Sequence, residues 1–197
     1  KDFSAFLLAM LVCLVVGVPL TRKKPKNKVF YIKDGCVAVA LSWLALCIFG
    51  AIPFVVSGYI PHPIDALFET VSGFTTTGSS ILSDVEVLPH CILIWRSFTH
   101  WIGGMGVLVF LLSLLPLAGG YHMNLMKAES PGPSVSKLVP KVQSTAKILY
   151  TIYFGMTLIQ LALLLIGRVP LFDSLCITFG TAGTGGFGIV NDSLGSY

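Results

Sequence analysis

Two short stretches rich in glycine and hydroxyl side chains interrupt an otherwise apolar chain. A cation that enters a membrane must exchange its water shell for other oxygens, and rings of backbone carbonyls supply them in channel filters. Glycine permits the backbone angles that turn successive carbonyls toward one side. Each member of the first stretch lies 108 positions before its counterpart in the second, which predicts two copies of one cation-binding loop. The candidate residues are Thr75, Thr76, Thr77, Gly78, Ser79, Gly183, Thr184, Gly185, Gly186 and Phe187.

A short helix is predicted immediately before each loop. Residues 64–74 place apolar side chains at intervals of three and four, the spacing of one helical face. Pro63 suits the first helical position, and Asp65 and Asp173 fall where a carboxylate suits the helix dipole. Such a helix crosses only about half of a 30 Å bilayer core. The loop after it must then be buried in protein or line a water-filled cavity.

Four longer apolar segments frame these loops. They cover residues 3–20, 36–57, 92–117 and 148–166. The composition is 54% hydrophobic and 11% charged, whereas a soluble domain carries about 25% charged residues. We therefore expect an all-α integral membrane protein built from repeated helix–pore-loop–helix units.

The distribution of charge predicts the orientation of the spans. Of thirteen Lys and Arg residues, six lie within 22–33 and four within 127–147. Basic connections of this kind lie in the cytoplasm. Residues 58–89 carry four acids and no Lys or Arg, so we expect them outside.

The predicted order is span, span, half-helix loop, span, span, half-helix loop. It divides the chain into a first helix with a basic loop (1–33), which the family resemblance given below implies to be the end of an N-terminal hairpin, a first repeat (34–120), a cytoplasmic loop (121–147) and a second repeat cut after its loop (148–197). Since the chain begins with Lys and ends soon after the second loop, we expect it to be part of a longer protein.

The third predicted span is unusually polar. An arginine inside a membrane span is a functional candidate, so Arg96 is expected either to form an ion pair with Glu69 or Glu86 or to extend to the outer interface. His100 is expected to form a hydrogen bond between helices rather than to bind a ligand. The glycines at 103–106 permit close helix contact or a bend.

Other functional classes fit the sequence poorly. Gly183, Gly185 and Gly188 satisfy G-x-G-x-x-G, but a dinucleotide site requires a preceding strand in a βαβ unit. The five cysteines have no metal-ligand spacing, and the basic residues lie between spans rather than on a nucleic-acid-binding face. We therefore expect no enzyme, no organic cofactor and no nucleic-acid partner.

Three motifs carry a family resemblance. The stretches VSGFTTTGS at 71–79, WRSFTHWIGGMG at 95–106 and FGTAGTGGFG at 179–188 resemble the Trk/Ktr/HKT superfamily of potassium transporters, closest to its bacterial TrkH-type pore subunits. The resemblance implies four repeats around one pore, of which this N-terminal half holds the first and most of the second. It also implies potassium ions at Thr76, Thr77, Gly78, Thr184, Gly185 and Gly186.

The same resemblance implies the protein's setting. Family members with serine at the position of Gly78 tend toward sodium, so glycine there favours potassium. A multi-pass protein of the bacterial inner membrane is expected, as a homodimer with a cytosolic nucleotide-binding regulatory subunit, working as a channel or a symporter. One alternative is a two-pore-loop channel that forms its pore as a dimer. A more distant one is an intramembrane enzyme, although the sequence shows no HExxH motif, no Asp pair within spans and no Ser/His arrangement.

Overall fold

A computed structural model describes residues 2–22, 32–106 and 142–195. These segments are helices and turns, and no strand occurs in them. In chain order the helices are α1 (Asp2–Arg22), α2 (Ile32–Ser57), α3 (Pro63–Phe74), α4 (His90–Gly103), α5 (Val142–Ile166) and α6 (Leu171–Ala182).

Three of these helices are long and apolar enough to cross a membrane. α1, α2 and α5 contain 21, 26 and 25 residues, and a rise of about 1.5 Å per residue makes each of them as long as a bilayer core is thick. Large apolar side chains lie exposed along them, such as Leu11, Leu41 and Ile159. Exposure of this kind suits lipid contact, and the predicted spans 3–20, 36–57 and 148–166 are confirmed.

α3 and α6 are two copies of one short element. Each has 12 residues, with Asp65 in the first turn of α3 and Asp173 in the first turn of α6. Both begin beside a proline, because Pro63 opens α3 and Pro170 precedes α6. At about 1.5 Å per residue neither helix spans a bilayer. Each therefore ends, and releases its loop, within the depth that a membrane would cover.

The third predicted span, 92–117, is interrupted at the glycines where the sequence allowed a close contact or a bend. α4 begins at His90 and ends at Gly103, with Gly104 as its C-cap residue. Gly106 follows with a φ of 76°, which is a backbone conformation that favours glycine and ends a helix. Residues 107–117 lie outside the described part of the chain.

α4 lies at the centre of the packing, in contact with both short helices, α3 and α6. Trp95 of α4 donates its indole N–H to the carbonyl of Gly50 in α2 at 3.1 Å. From the other side, the Tyr153 hydroxyl of α5 donates to the carbonyl of Trp101 at 2.9 Å. α4 is therefore bonded to α2 on one side and to α5 on the other.

The contact between α4 and the end of α3 leaves no room for a side chain at Gly103. A Cβ atom there would overlap the carbonyl of Phe74, which is backbone and cannot rotate away. We expect Gly103→Ala to destabilise the complete polypeptide by about 1–3 kcal/mol, as overpacking does. Thermal unfolding in detergent measures it.

Gly155 provides the matched control for this substitution. It is also helical, in α5, but a Cβ atom there meets nothing within 4 Å. Gly155→Ala should leave the melting temperature unchanged or raise it, since alanine favours a helix. Equal melting temperatures for the two variants would contradict the close contact at Gly103.

Candidate functional site

The chain leaves α3 and α6 with the same hydrogen bonds. Thr75 N–H donates to Val71 at 2.9 Å, as Gly183 N–H does to Phe179 at 3.1 Å. Two further bonds repeat at the same offset of 108 positions: Thr76 to Gly73 matches Thr184 to Thr181, and Thr77 to Ser72 matches Gly185 to Gly180. Residues 75–80, the first loop, and 183–188, the second loop, are therefore structural copies.

Both loops contain the same pair of left-handed residues. The φ angles are 55° at Thr76 and 60° at Thr184, and 77° at both Gly78 and Gly186. Threonine in this region costs about 1–3 kcal/mol and persists only where its surroundings impose it. Backbone strain of this kind, repeated in register, marks both loops as functional candidates.

The two loops lie side by side. A Cβ atom on Gly78 would overlap the carbonyl oxygen of Gly185, so the loops touch through backbone. Most of the ten predicted residues lie exposed or half-buried, whereas Gly183 and Phe187 are buried. The Phe187 side chain therefore faces the protein interior, and only its backbone remains available to line an open face.

Glu69 fastens the far end of the first loop to α3. Its carboxylate accepts bonds from the Ser80 hydroxyl at 3.0 and 3.1 Å and from the Ile81 N–H at 2.9 Å. It also forms an ion pair with Arg96. With 1% of its surface exposed, Glu69 is held by a guanidinium, a hydroxyl and an amide instead of water.

Arg96 extends inward, not to the membrane interface. Only 3% of its surface is exposed, and it pairs with Glu69. It also donates to the carbonyl of Gly188 in the second loop at 2.7 Å. Glu86, the other predicted partner, instead accepts the N–H of Asn191 at 3.0 Å. Of the three expectations for Arg96, the structure therefore supports the Glu69 pair.

His100 packs against the second loop. Its ring stacks on Phe187 with centroids 4.0 Å apart, and its Nδ1 lies 3.5 Å from the Phe187 N–H, which can donate to it. The predicted hydrogen bond between helices is therefore replaced by one from a loop to a helix. Among the residues that the structure covers, no group of three His, Cys, Asp or Glu side chains could hold a metal.

Asn191 links the segments that follow the two loops. It accepts the Val85 N–H at 2.9 Å and donates to Asp84 at 2.8 Å. Two hydrogen bonds lower the pKa of Asp84 below its ordinary value: the larger effect comes from Asn191, and the smaller one from the Glu86 N–H. Because Asn191 belongs to no pattern in the sequence, nothing there identifies it.

Sequence reasoning also missed that α4 has two contact faces, one toward the end of α3 and one toward the second loop. Thr99 and Gly103 contact the end of α3. Arg96, His100 and Gly104 contact the second loop. Each set recurs every four residues, which is the spacing of one helical face. That periodicity was visible in the WRSFTHWIGGMG motif and could have separated the two faces.

The alternative sites lack their required surroundings. The G-x-G-x-x-G pattern at Gly183, Gly185 and Gly188 follows helix α6, not a strand. The five cysteines are free thiols. A dinucleotide fold is therefore absent around this motif in the described part of the chain.

Comparisons with known proteins agree with the geometry. A family model described as TrkH, a cation transport protein, matches residues 2–197. The Trk system potassium uptake protein TrkH of Halomonas elongata is 34% identical over 99% of this chain and 41% of its own length. The Salmonella typhimurium protein of the same name is 36% identical over 98% of this chain and 40% of its own length.

A solved structure shares the fold as well. The crystal structure of the potassium transporter TrkH from Vibrio parahaemolyticus matches with a TM-score of 0.77 and 28% identity, covering 100% of this chain and 39% of that one. The chain spans about 40% of the length of these relatives. The match over nearly every residue, with the shared fold, shows that this chain belongs to the TrkH family of membrane cation transport proteins.

Proposed function

We propose that the two loops form two quarters of a potassium filter in a membrane uptake protein. The observation that carries this proposal is the repeated pair of left-handed residues, Thr76 with Gly78 and Thr184 with Gly186. Negative φ at Thr75 and Gly183 precedes them. Backbone of alternating handedness directs successive carbonyls to one side, which is the arrangement that replaces an ion's water.

The short helices support the same function. α3 and α6 both end at the loops, so the negative ends of their dipoles face the same region. A partial negative charge there stabilises a cation that has lost water. The acidic side chains nearby do not line this region in the proposal. Glu69 braces the first loop, whereas Asp65 and Asp173 stabilise the starts of the half-helices.

The relatives' names support potassium as the ion, since two of them are potassium uptake proteins. We place the protein in a bacterial inner membrane. The remaining two quarters come from further repeats of the complete polypeptide. A homodimer with a cytosolic nucleotide-binding subunit is the assembly that we propose, and the ion is the only ligand required.

Ion flux through the complete polypeptide tests this function. The protein is reconstituted in liposomes, and uptake of rubidium, a tracer for potassium, is compared with uptake of sodium. We expect rubidium uptake well above that of liposomes without protein, and little sodium uptake. Equal uptake with and without protein, or a preference for sodium, would overturn the proposal. Hydrolysis of a substrate without ion flux would favour the intramembrane enzyme.

A further inference from the structure

We propose that Arg96 is a positioning residue that holds both loops in one register and thereby sets ion selectivity. This inference rests on the proposed filter function. Arg96 lies on α4, which contacts both short helices, and its side chain is buried. Its influence on an ion would pass through the backbone of the loops.

Toward the first loop, Arg96 acts through Glu69. The Arg96 Nε–H is bonded to one carboxylate oxygen of Glu69. The other oxygen accepts the Ile81 N–H at 2.9 Å, and the Ser80 hydroxyl bridges both oxygens. The residues that close the first loop are therefore held to a carboxylate whose own place is determined by Arg96.

Toward the second loop, Arg96 binds directly. Its Nη1 donates to the carbonyl of Gly188 at 2.7 Å, and its guanidinium carbon lies 3.8 Å from the centroid of the Phe187 ring. At the offset of 108 positions, Gly188 corresponds to Ser80 of the first copy and Phe187 to Ser79. One side chain thus braces the same point of both loops.

The second loop has no equivalent of Glu69. The position 108 residues after Glu69 holds Ile177, which offers no charge and no hydrogen bond. Arg96, which belongs to the first repeat, therefore holds the loop of the second repeat as well. This asymmetry makes Arg96 a link between repeats, beyond its role in a local ion pair.

Lysine cannot reproduce these contacts. The guanidinium is planar and directs separate N–H groups to the carboxylate and to the carbonyl while its face rests on the aromatic ring. A lysine ammonium is a compact point charge that suits one of these positions at a time. Since the loops touch at Gly78 and Gly185, release of either end disturbs both sets of carbonyls.

The test uses the complete polypeptide in liposomes, with the ratio of rubidium to sodium uptake as its readout. We expect Arg96→Lys, which keeps the charge, to lower this ratio about tenfold, comparable to the loss of one charge-assisted hydrogen bond. Arg168→Gln is the matched control, since it removes an exposed cation beside α6 and should leave the ratio unchanged. A folded Arg96→Lys protein with the wild-type ratio would overturn the proposal.

A second variant applies if Arg96→Lys does not fold. Replacing Ile189 by its α-hydroxy acid turns the preceding peptide bond into an ester and weakens the Gly188 carbonyl as an acceptor, while every side chain stays in place. We expect the ratio to fall about threefold, as for one weakened hydrogen bond. An unchanged ratio of rubidium to sodium uptake would contradict the proposed role of Arg96. The wild-type protein separates the two proposals, because its failure to pass rubidium would refute the filter function itself.

Discussion

Glu69→Gln is expected to destabilise the complete polypeptide by about 3–5 kcal/mol, the usual cost of leaving one buried charge without its partner. The Arg96 guanidinium would keep its position, with 3% of its surface exposed, but would lose its counter-charge. Glutamine has nearly the shape of glutamate, so packing changes little. The loss combines the missing counter-charge with one missing acceptor, since both carboxylate oxygens of Glu69 accept hydrogen bonds. The measurement is thermal or chemical unfolding in detergent.

Two comparisons make this prediction specific. Asp65→Asn removes a carboxylate from the same helix, but from its half-buried first turn, where the dipole interaction is worth about 0.3–1 kcal/mol. Adding Arg96→Met to Glu69→Gln removes the unpaired cation and should recover part of the stability. If the double variant were less stable than Glu69→Gln alone by the full cost of Arg96→Met, the two residues would not be coupled.

Gly78→Ser should abolish most of the preference for potassium over sodium. Serine must adopt a φ near 77° there, and its Cβ would overlap the carbonyl oxygen of Gly185. The collision displaces a carbonyl of the second loop as well as the backbone of the first. The measurement is the ratio of rubidium to sodium uptake by the complete polypeptide in liposomes.

Gly186→Ser separates the collision from the backbone strain. Gly186 has the same φ of 77° as Gly78, but a Cβ atom there meets nothing within 4 Å. Serine at this position has only the free-energy cost of the left-handed conformation, about 1–2 kcal/mol. We expect a smaller change in the uptake ratio than for Gly78→Ser. Equal effects would show that contact between the loops has no role, and an unchanged ratio in Gly78→Ser would count against Gly78 as a filter residue.

The spans and the short helices were predictable because they depend on local signals. A run of apolar residues long enough to cross a bilayer identifies a span without any knowledge of neighbours. Pro63 and the apolar intervals of three and four over 64–74 predict α3 within one residue of its observed bounds. At residues 103–106 the glycines left a close helix contact and a bend both open, and only the structure shows that α4 ends at Gly103.

The partners of the buried polar residues were not predictable in the same way. Both Glu69 and Glu86 were open to Arg96, since charge alone does not select between two carboxylates. Burial selects the partner of Arg96. Glu69 faces α4 from the buried side of α3, whereas Glu86 lies in an exposed segment and binds Asn191. The bond from Arg96 to Gly188 spans 92 positions and has no sequence signal.

The sequence by itself determined that this is a helical membrane protein with a repeated loop, because hydropathy and a 108-residue repeat are properties of the chain alone. The tertiary structure decided how the copies differ. Only packing brings Arg96 between a carboxylate of one repeat and a carbonyl of the other, and only packing sets Gly78 against Gly185. Contacts between distant segments depend on the three-dimensional arrangement of helices, and no local spacing encodes them.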